Sequence, residues 1–74
     1  MPTALVNTLV VNDACMFKPP GRQQEEAYVV TISDPANQIF SGICISDKFV
    51  ITWLPTDVVT VIDVPGIGAV LLAL

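Results

Sequence analysis

The sequence predicts an all-β fold: a small barrel or rolled antiparallel sheet of five or six strands, with one long N-terminal loop. Three observations carry this. Val, Ile and Thr make up 24 of the 74 residues, and β-branched side chains favour strands. Apolar residues reach 53% of the chain and come in short runs. Six prolines and four glycines punctuate those runs. Short apolar runs separated by turn signals describe a meander of hairpins.

The first predicted strand spans residues 4–11, with Leu5, Asn7, Leu9 and Val11 facing one way. A polar break over 12–26 follows and reads as the long loop, because Pro19-Pro20-Gly21 stops any regular element. The second strand covers 27–33, with Tyr28, Val30 and Ile32 on one face. Asp34-Pro35-Ala36-Asn37 then has Asp at the first and Pro at the second position of a type I turn. The third strand, 39–45, is apolar on both faces and so reads as central or covered by a partner. Ser46-Asp47-Lys48 makes the next tight connection. The fourth strand, 49–54, puts Phe49, Ile51 and Trp53 on one face. Leu54-Pro55-Thr56-Asp57 turns the chain into a fifth strand at 58–64. Pro65-Gly66 fits the centre of a type II turn, and residues 69–74 form a sixth strand. The whole, 1–74, reads as a single small β domain.

Composition excludes several functions. Three cations (Lys18, Arg22, Lys48) against seven acids give a net charge of −4. So few cations cannot neutralise a phosphate backbone, and no nucleic acid is expected as partner. Charged residues are 14% of the chain, against a usual share of about 25%, which excludes a disordered acidic tail. The N-terminus has no basic stretch before an apolar core, so no signal peptide is expected. The uncharged stretch 64–74 is eleven residues long, and a membrane span needs about twenty. The expected location is the cytoplasm or a viral or other macromolecular assembly.

Chemistry is sparse. There is no histidine, and the two cysteines lie 29 positions apart, so no metal site and no cofactor is expected. Cys44 reads as a small buried hydrophobe, and Cys15, beside the loop, as the more reactive thiol. Serines at 33, 41 and 46 have no imidazole to activate them. Glu25 and Glu26 read as a solvated pair, and Asp63 as a solvent-facing residue in an apolar run. Six short strands leave little interior room for a small-molecule substrate. The aromatic residues read as core or interface packing.

Two local resemblances carry no activity with them. Residues 41–52, Ser-Gly-Ile-Cys-Ile-Ser-Asp-Lys-Phe-Val-Ile-Thr, resemble the hairpin that leads to the catalytic histidine of trypsin-like serine proteases. The match covers twelve residues, and Trp53-Leu54-Pro55 stands where that histidine would be. Residues 63–68 resemble the Asp-x-Pro-Gly segment of GTPases, but no phosphate-binding loop precedes them.

A chain of this size buries only about 60% of its unfolded surface. With so much apolar content and no staple or metal, surplus apolar surface must be covered by a protein. The expected function is a non-enzymatic structural or assembly module that self-associates as a homo-oligomer or docks into a larger complex, such as a viral or phage particle. The expected anchors are Ile39, Phe40, Ile43, Trp53, Val70, Leu71, Leu72 and Leu74. The alternative is a small acidic inhibitor or decoy that binds a host or cellular protein.

Overall fold

The computed structural model describes residues 2–74. Six strands form one antiparallel sheet: β1 (Thr3–Leu5), β2 (Ala14–Phe17), β3 (Glu26–Asp34), β4 (Ile39–Cys44), β5 (Val50–Trp53) and β6 (Val58–Ile62). A 3-10 turn, Val6–Thr8, follows β1, and a short helix, α1 (Ile67–Leu72), ends the chain. The spatial order is β1-β6-β2-β3-β4-β5, so β1 and β5 are the edges.

This order forces the sheet to roll. β5 and β6 are consecutive in sequence but four strand spacings apart in the sheet, about 19 Å if it were flat. Only residues 54–57 join them, and the Asp57 N–H donates to the Leu54 carbonyl at 3.0 Å, closing a tight turn. A β-turn spans less than about 7 Å, so the sheet must curl until β5 and β6 approach. A β-bulge between Val30 and Ile32 in β3 adds bend and twist. The sheet is rolled but not closed, since β5 pairs only with β4.

The concave face holds the core. Cys15, Tyr28, Val30, Phe40, Cys44, Trp53 and Val59 pack there, with Val6 and Leu9 closing one end. Phe17, Tyr28 and Trp53 meet edge to face, with centroids 6.0 to 6.3 Å apart, the arrangement that ring quadrupoles favour. On the convex face α1 packs against β3, beside Val29 and its cross-strand partner Ala14, both fully buried. The approach is close. The Gly68 N–H donates to the Asn12 carbonyl at 2.9 Å, and a Cβ on Gly68 would collide with that oxygen and with Val29 Cγ1.

Four sequence expectations are corrected. The first strand stops at Leu5, because the Val6 N–H turns to the Asp57 carbonyl (2.9 Å) and Thr8 Oγ1 donates to Leu5 O (2.7 Å). The expected loop 12–26 contains β2, which is paired on both sides, with β3 and with β6. The bulge moves Ile32 off the face of Tyr28 and Val30 and leaves it exposed. The expected sixth strand is α1: the Val64–Ile67 turn forms, with Gly66 at φ +73°, but it leads into a helix that packs against β3.

The turn chemistry otherwise follows the sequence. Asp34 Oδ1 accepts from the Asn37 N–H at 3.2 Å, and Asp34 Oδ2 from Asn37 Nδ2 at 2.9 Å. Asp13 and Asp57 reach back instead, each accepting from an N–H three residues earlier, Val10 and Leu54, both at 2.9 Å.

Candidate functional site

The open side of the roll is a groove of about 680 Å³. Phe17, Lys18, Pro19 and Pro20 form one wall, and Phe49, Val50, Ile51 and Thr52 the other. Leu54 and Asp57 complete the lining. The first wall follows β2 and is shaped by the 19–22 turn, where the Arg22 N–H donates to the Pro19 carbonyl at 3.1 Å and Gly21 takes φ +88°. The second wall is β5 itself.

Hydrogen-bond phase determines what β5 offers. The Cys44 N–H donates to the Phe49 carbonyl at 2.8 Å. With the register Phe40–Trp53, Gly42–Ile51 and Ile43–Val50, the odd-numbered residues of β5 are those bonded to β4. Antiparallel pairing alternates, so Val50 and Thr52 direct their N–H and C=O groups away from the sheet. Around them the side chains are apolar and open: Phe49 is 60% exposed, Val50 60% and Leu54 66%.

Charge is unequal along this edge. At the Phe49 end, Arg22 Nη2 meets Asp47 Oδ2 at 2.8 Å, and the guanidinium carbon lies 5.8 Å from the Phe49 ring centroid. Asp47 also accepts from the Phe49 N–H at 3.0 Å. The Arg22 hydrogen bond, followed by that of Phe49, holds the Asp47 carboxyl down at about 2. Lys48 sits in the same turn, its ammonium donating to Ile45 O at 3.0 Å. At the Leu54 end stands Asp57. The three cations of the chain therefore all lie on this side, with Lys18 in the groove wall.

The anchors expected from sequence are dispersed. Phe40 and Trp53 lie in the concave core, with almost no surface to offer a partner. Ile39 and Ile43 lie on β4, Ile39 exposed and Ile43 half-buried. Val70 and Leu74 are exposed at the helical C-terminus, while Leu71 and Leu72 are half-buried. The expected anchors omit Val50 and Leu54, and Phe49 was read only as core or interface packing beside Trp53. Their signal was present, since Phe49-Val50 and Leu54-Pro55 leave both faces of the fourth run apolar.

The nucleophile candidates are engaged in structure. Ser41 Oγ donates to Ile51 O at 2.7 Å, Ser33 Oγ to Leu9 O at 2.6 Å, and Ser46 Oγ lies 3.3 Å from Cys44 Sγ. Cys15 is corrected from a reactive thiol to a packing residue. It is free and buried in β2, and burial, with Asp13 nearby, pushes its thiol up to about 12. The 41–52 stretch is the β4–β5 hairpin, with Trp53 in the core where the protease pattern needs histidine. Tyr28 Oη and Trp53 Nε1 are buried without a hydrogen-bond partner among the described residues. Among the described residues, no three His, Cys, Asp or Glu side chains gather as metal ligands, and no helix is long and apolar enough to cross a membrane.

No protein-family model, no curated protein and no solved structure matches the chain. Fold and surface define its class on their own: a small rolled antiparallel sheet with an open, apolar edge.

Proposed function

We propose that the chain is a non-enzymatic assembly module that self-associates or docks into a larger complex through the open edge of its sheet. One observation carries the reading: β5 combines unpaired backbone groups at Val50 and Thr52 with exposed Phe49, Val50 and Leu54, beside a groove. Such an edge is a template for another strand, and strand addition is a common mode of protein recognition. A strand seated on β5 would bring the roll closer to a closed barrel. A component of a viral or phage particle remains the setting that suits a small, charge-poor unit.

The inhibitor or decoy reading has less behind it. Four of the seven acids, Asp13, Asp34, Asp47 and Asp57, are engaged as acceptors within turns, so fewer carboxylates remain for an acidic docking face. The test is the solution mass of the wild-type chain by light scattering over a wide concentration range. A defined oligomer is expected; a monomer at every concentration would overturn self-association.

A further inference from the structure

We infer that the strand received by β5 is β5 of a second copy, antiparallel across a two-fold axis at Ile51, with Val50 of each copy opposite Thr52 of the other. This inference rests on the assembly reading and names its partner and register.

Hydrogen bonding selects the register. Val50 and Thr52 each present one free N–H and one free C=O. Residues that face each other as a hydrogen-bonded antiparallel pair exchange both bonds. Centring on Ile51 makes two such pairs, related by the axis. Four backbone hydrogen bonds form, and none of the free groups within β5 is left over. A shift by one residue would oppose free groups with groups already bonded to β4.

Charge selects the copy. The edge is polarised: Lys48 and the Arg22–Asp47 pair at the Phe49 end, Asp57 at the Leu54 end. An antiparallel two-fold brings the basic end of one copy to the acidic end of the other, twice. Each copy carries −4, so association through most of the surface is opposed by like charge. This side holds the three cations and is the exception. An isologous contact also closes on itself, giving a dimer rather than a fibre.

The other edge is protected. β1 is three residues long and runs straight into the 3-10 turn, and short edges resist pairing. β5 carries no proline, no lysine and no bulge.

The experiment combines sedimentation velocity with amide hydrogen exchange on the full chain. In the wild type, protection at Val50 and Thr52 is expected to rise with protein concentration together with the dimer fraction. Thr52→Pro removes an outward N–H that β4 does not use, a position where an edge strand tolerates proline. It is expected to weaken the dimer by about tenfold or more. Should that variant lose its fold, a charge pair decides. Val50→Lys with Thr52→Lys sets like charges opposite each other and is expected to dissociate the dimer, whereas Val50→Lys with Thr52→Asp sets Lys opposite Asp and is expected to retain it.

A wild-type oligomer that these changes leave untouched would overturn the β5 pairing and leave the assembly reading standing. A wild-type monomer would overturn the β5 pairing and self-association together, leaving docking onto a different protein as the assembly reading. Protection at Val50 and Thr52 gained only on adding an unrelated extended peptide would overturn the second copy as occupant.

Discussion

Two parts of the same sheet meet solvent in opposite ways. Over β3 the convex face is covered by the chain's own C-terminal helix, and Val29 and its cross-strand partner Ala14 lose all exposure. At β5, Phe49, Val50 and Leu54 stay open to solvent, and among the described residues no strand or helix covers them; only the Arg22 guanidinium lies over the Phe49 ring. Composition does not separate the two places, since both are apolar and β-branched. What separates them is reach. The Val64–Ile67 turn follows β6, two strands from β3, and delivers α1 to the middle of the sheet. The far edge lies beyond it. A chain this short has one covering element, and the sheet has more than one face to cover.

Substitutions have their largest effect where the packing is closed. Phe40→Ala removes a fully buried ring from the concave core and is expected to cost about 4 kcal/mol. Leu54→Ser, on the open edge, is expected to change stability by less than about 0.5 kcal/mol. Urea unfolding of both variants checks the pair, and equal losses would show that the two sides are not distinct.

Gly68→Ala is expected to have the next largest effect. Its Cβ would meet the Asn12 carbonyl, which is backbone and cannot rotate away. A loss of about 2 kcal/mol is expected, with new solvent exchange at amides of β2 and β3 rather than β5.

Stability against pH separates the closed interior from the open edge, because Cys15 lies in the concave core and Asp47 beside β5. Cys15 has its thiol raised from 9.0 to about 12. The folded state therefore favours the protonated thiol, and this contribution is complete below 9.0 and lost as pH rises towards 12. Cys15→Ala is expected to flatten that alkaline loss in thermal melts. Asp47 has its carboxyl lowered from 3.8 to about 2. Its contribution is present above 3.8 and lost as pH falls towards 2. Asp47→Asn is expected to flatten the acid limb, by a smaller amount because the Arg22 pair is exposed to solvent.

Much of this molecule is legible residue by residue. Asp34-Pro35 and Pro65-Gly66 specify their turns through side-chain acceptors and a left-handed φ, both local properties. Alternation in 27–33 and 49–54 locates β3 and β5, and the parity of Ile51 and Trp53 points them to the core. The candidate site was only half visible. Leu54 and Phe49 could be seen as apolar, but their exposure depends on which strand is an edge. Phe40 and Trp53 were equally apolar and ended in the core, because β4 and β5 present those positions to the concave face.

Short strands joined by tight turns follow from local sequence, because strand propensity and turn chemistry act over a few residues. The remainder depends on long-range packing. Ala14–Phe17 is a strand only because β3 and β6 flank it. Residues 67–72 are a helix where an apolar run alone reads as a strand, and as a helix they pack against β3. β6 enters between β1 and β2, which rolls the sheet and leaves β5 open. Each of these outcomes depends on hydrogen bonds and burial between residues far apart in the chain, and those energies have no signature within a local window of sequence.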